Sequence, residues 1–389
     1  FGLLFIPFSD SFGWNRAEIS LAFTFFNVQF LIVSPIAGWI IDKYGPKKAI
    51  ICGVLSLSLG YILLSRIDSL LEFYLIFPLV IGLGVHFSDV APNTSAVAKW
   101  FVRKRGRALG IQTGISSVVC VIVPVVTAPL IMMYGWQNAL VILGISALVI
   151  CLPFSILHRS GMPEKYGLEP DGDSFLGNSQ GENDARSNDR APTKDFTIGG
   201  AIKTSAFWII GFSWIMVAGS YAVMYLNLPN LLTDDGISLQ FASLGWVAFY
   251  CGAVPGRFFG TPLADKFEVR YLLIISCILQ AIGLIFIPQA ETIVSNYIGL
   301  FFIGLVMGPQ FSFYTNIIAQ YYGRKYFATI RGWMSVFMMI GMSVAPYHAG
   351  LMYEQYGGFL EAFIIYSILS IVAAGLIYYA RQPSSKIHV

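Results

Sequence analysis

The sequence predicts an all-helical integral membrane protein with two bundles of six helices. Of its 389 residues, 56% are apolar and 12% are charged, about half the ~25% of a typical soluble chain. Apolar runs of about 20 residues, the length that a helix needs to cross a bilayer, recur along the chain. One long polar segment, 159–200, divides these runs into two sets. Composition, run length and this division together predict the fold class.

Eleven apolar runs are long enough to span a membrane. A twelfth span is expected, because Phe1 to Phe8 is an apolar stub without an initiator methionine and is too short to cross. We interpret the stub as the end of a truncated first helix. The expected complete spans are 18–41, 47–65, 72–97, 106–133, 137–157, 203–232, 239–263, 271–289, 295–320, 328–353 and 362–380.

The basic residues predict the orientation. All but Arg16, Arg66 and Arg257 of the 24 Lys and Arg lie in alternate connections or in the tail, and the opposite connections are mainly acidic. By the positive-inside rule the basic connections face the cytoplasm. Both termini are therefore expected in the cytoplasm, with the protein in a plasma or inner membrane.

The two halves of the chain echo one another. The run IDKY from Ile41 matches ADKF from Ala264, and Tyr134-Gly135 matches Tyr356-Gly357, at an offset of about 221 to 223 residues. Two matches in register indicate an internal duplication, which is typical of transporters with a site near the bilayer midplane. The expected division is an N-terminal bundle at 1–158, a cytoplasmic linker at 159–200, a C-terminal bundle at 201–382 and a cytoplasmic tail at 383–389.

Composition and spacing exclude several functions. A net charge of +3 supplies no basic field for nucleic acid. The five cysteines lie singly, without metal-ligand spacing, so no cofactor or metal is expected. The spans contain no nucleophile-base pair, which disfavours an enzyme, and no Gly-x-x-x-x-Gly-Lys-[Ser/Thr] run implies ATP.

A motif between the second and third spans resembles a known family. The run GWIIDKYGPKK from Gly38 resembles the G-x-x-x-D-[RK]-x-G-x-[RK] signature of the major facilitator superfamily. Gly38 permits close helix contact, Gly45 permits a tight turn, and the Asp42 carboxylate can meet an arginine or a helix N-terminus. A degraded copy of the motif precedes Asp265.

From this motif we expect Asp42 to hold the two halves together at a cytoplasmic gate. Its expected partners are Arg103, Arg105 or a helix N-terminus, and Asp265 is the corresponding acid of the second half. The alternative for Asp42 is a solvated loop acid.

Three further runs are similar to the monocarboxylate-transporter and oxalate/formate-antiporter group of that superfamily. They are FGWNRAEIS from Phe12, WFVRKRGRALG from Trp100 and PEKYGLEPDG from Pro163. In the first, Asn15 and Glu18 also have the spacing of a helix capping box. The resemblance implies the major facilitator fold, with two six-helix bundles around a central cavity, and transport of a small organic anion by alternating access.

Hydropathy places four ionisable residues inside the membrane: His86, Asp89, Arg257 and His348. Burying an arginine or aspartate at mid-bilayer costs at least ~2.5–3.5 kcal/mol, so these residues should face a cavity or the bundle interior. Arg257 lies eight residues before Asp265, hence about 12 Å from the helix end. The resemblance implies that Arg257 is the eighth-helix arginine that pairs with a substrate carboxylate. The alternative is a structural ion pair with Asp89.

Hydroxyl and amide side chains of the seventh and tenth spans are further candidates for the substrate cavity, although such groups equally serve in helix packing. These are Tyr221, Tyr225, Asn227, Tyr314 and Asn316.

Two departures from the group bear on proton coupling. Ala253 stands where animal monocarboxylate carriers keep an aspartate, and Ile6 stands where many relatives have a lysine. Proton coupling is therefore expected at Asp89 and His86, which are three residues apart on one helical face. The competing expectation is that Asp89 neutralises Arg257, which would make the protein an exchanger or uniporter.

The sequence thus predicts a monomeric secondary transporter of a small organic anion in the lipid bilayer. Whether a proton is transported with the anion is left open by the sequence. A monocarboxylate is favoured over a dicarboxylate, because the eleventh span shows no second intramembrane cation. The alternatives are a superfamily member for another solute, such as a drug or sugar, an anion exchanger for dicarboxylates, and a membrane enzyme or sensor.

Overall fold

The computed structural model describes residues 4–88, 90–159, 161–172, 195–234, 239–290 and 292–383. These residues fold mainly into helices. The first four are α1 Phe5–Phe12, α2 Arg16–Tyr44, α3 Pro46–Leu64 and α4 Leu70–Trp100. After the linker come α7 Ser205–Asp234, α8 Leu239–Pro255, α9 Val269–Phe286, α10 Ile293–Tyr322, α11 Phe327–Tyr356 and α12 Leu360–Tyr379.

The 53-residue helix Arg105–Leu157 contains two of the expected spans. Gly135, at φ 79° and ψ 161°, breaks its helical geometry between them. We label the two parts α5, at 105–134, and α6, at 136–157. In the described part of the chain, nine helices are long and apolar enough to cross a membrane when Arg105–Leu157 counts as one.

Helix α8 extends beyond its regular α-helical part. A π-helical turn at Gly256–Gly260 and a 3-10 turn at Thr261–Asp265 continue it to Asp265, the residue that corresponds to Asp42 in the second half. With this extension, α8 covers the expected span 239–263. Each of the eleven expected complete spans therefore has a helix in the structure.

Local sequence signals set the ends of α2. The Asn15 side chain accepts from the Glu18 backbone N–H at 2.9 Å, and the Glu18 carboxylate accepts from the Asn15 N–H at 2.8 Å. The predicted capping box is thus present. At the other end, Gly45 adopts φ 88°, a region that favours glycine, and Pro46 begins α3.

Helices pack in pairs within each half. In the second half α7 packs on α11, α8 on α10, and α9 on α12. In the first half α3 packs on α4 and α6, and the Ser58 hydroxyl donates to the Gly144 carbonyl at 2.7 Å. Such buried hydrogen bonds tie helices together where the bilayer supplies no water.

The most extensive contacts between the halves are those of α2 with α11 and of α5 with the end of α8. A Cβ on Gly38 of α2 would overlap the Ala328 carbonyl of α11, and a Cβ on Gly332 of α11 would overlap the Ser34 carbonyl of α2. These two glycines let the backbones touch, as small residues do at membrane-helix interfaces.

We therefore expect Gly38→Ala to push α2 away from α11 and to lower the thermal unfolding midpoint of the purified protein. Gly375→Ala in α12 is the matched control, because a Cβ there meets open space. The control should leave the midpoint unchanged or raise it, since alanine favours a helix over glycine. Equal effects of the two substitutions would contradict the close-contact role of Gly38.

Candidate functional site

The Asp42 carboxylate joins the two halves at the side of the bundle that carries the basic connections, hereafter the linker side. Its Oδ1 accepts from Lys99 Nζ at 2.8 Å, and its Oδ2 accepts from the Thr329 N–H at 2.7 Å and the Thr329 hydroxyl at 2.8 Å. The side chains of Asp42 and Lys99 are each only 5% exposed. Thr329 is the third residue of α11, so the carboxylate binds a helix N-terminus of the other half.

Asp265 makes the corresponding contact from the second half to the first. Its carboxylate accepts from the Gly106 N–H at 2.5 Å and the Arg107 N–H at 2.8 Å, in the first turn of α5. Burial raises the pKa of Asp265, against the two backbone donors. The duplicated acids therefore bind the starts of α11 and α5 in opposite directions across the interface.

Of the two expected arginine partners of Asp42, Arg105 binds elsewhere. Arg105 donates from Nε to the Phe101 carbonyl at 3.0 Å and from Nη2 to the Ala98 carbonyl at 3.3 Å. The Arg103 backbone N–H donates to the Asp171 carboxylate at 2.9 Å. Of the expected partners, the structure gives Asp42 the helix N-terminus, and it adds Lys99.

The linker ends are tied to the connections that precede α5 and α11. Asp171 accepts from the backbone N–H groups of residues 102–104, and Asp195 accepts from those of Arg324 and Lys325. Arg324 also donates to the Lys99 carbonyl at 2.9 Å and pairs with Glu164 at 2.7 Å. Sequence analysis missed these contacts, because a lone aspartate in a polar loop carries no periodic signal.

A cavity of about 270 Å³ lies between the two halves. Its polar lining comes from helices of both halves and consists of Ser34, His86, Gln112, Thr113, Ser116, Arg257, Ser312, Arg331 and Ser335. The remaining lining residues include Phe30, Val85, Phe311, Met338 and Met342. A small concave site with a few convergent polar groups is the usual form of a small-molecule site.

Arg257 reaches across this cavity. Its Nε donates to the Gly308 carbonyl of α10 at 3.1 Å, and its Nη1 donates to the Thr113 carbonyl of α5 at 3.4 Å and to the Ser117 hydroxyl. The guanidinium therefore contacts neutral acceptors from both halves. Its position in the cavity wall is the one expected of an anion-binding residue.

His86 also lines the cavity. Its Nδ1 lies 3.3 Å from the Gly82 carbonyl and its Nε2 lies 3.2 Å from the Ser34 hydroxyl. Because a carbonyl only accepts, we assign the proton to Nδ1, which leaves Nε2 to accept from Ser34 or to take up a proton. Asp89, the other residue expected to handle protons, lies outside the described residues.

Arg331 is a cavity residue that the sequence analysis assigned to a cytoplasmic connection. It lies in the second turn of α11. Ser335, Met338 and Met342 follow it at intervals of three or four residues, so the four side chains share one face of α11, and all four line the cavity. The expectation that the eleventh span offers no second cation is therefore wrong. The helical spacing of Arg331 with these residues is the signal that could have found it.

The five hydroxyl and amide candidates of the seventh and tenth spans all lie outside the cavity lining. Tyr314 is fully buried, stacks on Trp214 and donates to the Ser213 hydroxyl at 3.1 Å. Asn227 donates to the Val223 carbonyl of its own helix at 3.0 Å. Asn316 is buried. Tyr221 stacks on Tyr225, which is partly exposed and also contacts Trp246.

Comparisons with known proteins connect this geometry to a family. The sequence model of the Major Facilitator Superfamily matches residues 1–346 and 210–388. Monocarboxylate transporter 2 of Homo sapiens is 30% identical over 33% of this chain and 26% of its own length. The Probable sulfoacetate transporter SauU of Cupriavidus necator is 22% identical over 94% of this chain and 85% of its own length. The chain spans less than half the length of the first curated relatives that it matches.

A solved structure gives the same fold. The E. coli Fucose:proton symporter FucP superposes with a TM-score of 0.76, over 98% of this chain and 94% of that chain, at 14% identity. At this identity the likeness concerns the arrangement of helices alone.

The contacts of Asp42 lead to a prediction about transport. Asp42→Asn leaves the buried Lys99 ammonium without its carboxylate, a change that typically costs 3–5 kcal/mol, so the closed linker side should be destabilised. We expect transport turnover in proteoliposomes to fall about tenfold or more while the Kd of the solute changes much less. Asp68→Asn, an exposed acid in the connection between α3 and α4, is the control. Unchanged turnover at intact expression would reject a gating role for Asp42.

Proposed function

The chain belongs to the Major Facilitator Superfamily, and from its central cavity we propose that it is a secondary transporter of a small organic anion. The observation that carries the proposal is Arg257, a guanidinium held in the wall of a cavity between the two halves. A guanidinium binds a carboxylate with two parallel hydrogen bonds. A volume of about 270 Å³ lies near the lower end of the range of small-molecule sites.

Alternating access supplies the mechanism. The contacts of Asp42 and Asp265 close the linker side, which the basic residues assign to the cytoplasm. In the proposed cycle the anion enters from the opposite side and binds Arg257. The carboxylate-to-helix contacts at the linker side then open and the anion leaves. Each step uses the contacts between halves as a two-state element.

The relatives favour an anion over a sugar or drug. They include a monocarboxylate transporter and a probable sulfoacetate transporter, and both solutes are organic anions. A monocarboxylate matches the single bidentate anchor at Arg257. A dicarboxylate is the second candidate, favoured by Arg331, which places another guanidinium in the same cavity.

Uptake of labelled lactate, pyruvate, formate and oxalate into proteoliposomes tests the proposal. Saturable uptake of one of these anions is the expected result, and preference for oxalate would select the dicarboxylate candidate. Fucose and a lipophilic drug serve as comparison solutes. Uptake of either of these, with none of the four anions transported, would overturn the anion proposal.

Arg257 should be the anion anchor. Arg257→Lys keeps the positive charge but loses the two-pronged geometry, so the Kd of the transported anion should rise about tenfold or more, as expected for loss of a charge-assisted hydrogen bond of about 1.5–3 kcal/mol. Arg270→Lys is the matched control, because Arg270 pairs with the half-exposed Glu268 outside the cavity. Wild-type binding by Arg257→Lys would leave Arg257 only a structural role.

Proton coupling should depend on Asp89 and His86. If the protein is a symporter, an imposed pH gradient drives accumulation of the anion, and Asp89→Asn or His86→Gln abolishes it while exchange of anion for anion survives. The two residues should act as a coupled pair, since they are three apart in a run that the sequence predicts to be helical. Absence of gradient-driven accumulation in the wild type would instead establish an exchanger or uniporter.

A further inference from the structure

Ser117 of α5 holds the guanidinium of Arg257 from the opposite half. Its hydroxyl donates to the Thr113 carbonyl at 2.8 Å, so its lone pairs accept from Arg257 Nη1. The Ser117 side chain is buried, with 1% of the residue exposed. A serine that has placed its own proton on a carbonyl is a pure acceptor for the arginine.

The geometry of a guanidinium makes this contact an obstacle to anion binding. Two adjacent N–H groups grip a carboxylate, and either two-pronged edge uses Nη2 together with Nε or with Nη1. In the structure Nε is bound to the Gly308 carbonyl and Nη1 is bound to Ser117 and Thr113. Nη1 has two N–H groups and already has two acceptors, Ser117 and Thr113, so a carboxylate at the Nη1–Nη2 edge competes with one of them, and a carboxylate at the Nε–Nη2 edge competes with Gly308.

The contact with Ser117 is the easier one to release. The Gly308 carbonyl belongs to the backbone of α10 and moves only with the helix, whereas a serine hydroxyl changes its rotamer alone. The other acceptor of Nη1, the Thr113 carbonyl, is at the long distance of 3.4 Å. A carboxylate that binds Nη1 and Nη2 thus takes the place of the Ser117 hydroxyl.

We propose that Ser117 is a positioning residue that holds Arg257 in the empty cavity and is exchanged for the carboxylate of the transported anion. This inference rests on the proposed anion transport. Because Ser117 belongs to the first half and Arg257 to the second, the exchange replaces a bond between the halves with a bond to the solute. Binding of the anion then loosens the interface at the level of the cavity, where the Thr113 and Ser312 hydroxyls, 3.3 Å apart, form another contact between halves.

The exchange predicts an effect of opposite sign to that of a substrate ligand. Ser117→Ala removes the competing acceptor, so the anion should bind more tightly, and its Kd should fall by up to about fivefold. Ser117→Thr keeps the hydroxyl and should restore the wild-type Kd. Isothermal titration of the purified proteins with lactate, pyruvate, formate and oxalate measures these values.

Ser58→Ala is the matched control. Ser58 is a buried serine outside the cavity lining, and its hydroxyl joins α3 to α6 within one half. Ser58→Ala removes a hydrogen bond between helices, as Ser117→Ala does, but its Kd for the anion should equal that of the wild-type protein. A Kd that rises or stays unchanged in Ser117→Ala overturns the exchange, because the first result marks a ligand and the second a packing residue.

A double-mutant cycle tests the contact without any solute. Thermal unfolding midpoints of Ser117→Ala, Arg257→Gln and the double variant should be non-additive in the empty protein, and Arg257→Lys replaces the glutamine variant if that one fails to fold. Additive midpoints overturn the proposal even where an anion binds. Non-additive midpoints in a protein that binds none of the four anions would reject anion transport while leaving the Ser117 contact in place, so the two failures are distinguishable.

Discussion

The arrangement depends on two carboxylates that bind helix N-termini across the interface between the halves. The first N–H groups of α11 and α5 have no partner within their own helices, and a carboxylate is the natural acceptor for them. Asp42 and Asp265 supply it from the ends of α2 and α8. Both contacts lie on the linker side and close the bundle there, so the cavity with Arg257 is bounded on that side by polar contacts that can open, whereas a continuous apolar core could not.

The two carboxylate contacts are related by the internal repeat but are chemically unequal. Asp42 also pairs with the buried ammonium of Lys99, whereas burial raises the pKa of Asp265 in spite of its backbone donors. The ionised form of Asp265 is thus disfavoured by burial, so by linkage protonation favours this buried arrangement over one in which the carboxyl is exposed, and that preference is lost as the pH rises through the raised pKa. The two contacts therefore share one geometry, a carboxylate on a helix N-terminus of the other half, but only that of Asp42 is described with a lysine partner.

Local signals in the sequence predicted what depends on neighbours along the chain. The capping box at Asn15 and the glycine turn at Gly45 are confirmed, since both are set within a few residues. The depth of Arg257 in the membrane, which the rise of an α-helix predicts, stays a prediction. Side-chain partners could not be predicted this way: helical period gives the face of Arg331 or Tyr314 but not the helix that the face meets. In the structure Arg331 lines the cavity and Tyr314 lies in the packed core.

The acceptors around Arg257 bear on how a cavity in a membrane can hold a cation without a solute. Gly308, Thr113 and Ser117 offer uncharged oxygens, which stabilise a buried guanidinium without cancelling its charge. A carboxylate acceptor would bind the guanidinium more strongly and would compete with the solute by an equally charged bond. Among the described residues the partners of Arg257 are these neutral acceptors. Under the proposed anion transport, binding of the solute exchanges an uncharged hydrogen bond for a charge-assisted one, so the net gain is smaller than the full strength of the new bond. A smaller net gain favours release of the solute, which a transporter needs on every cycle.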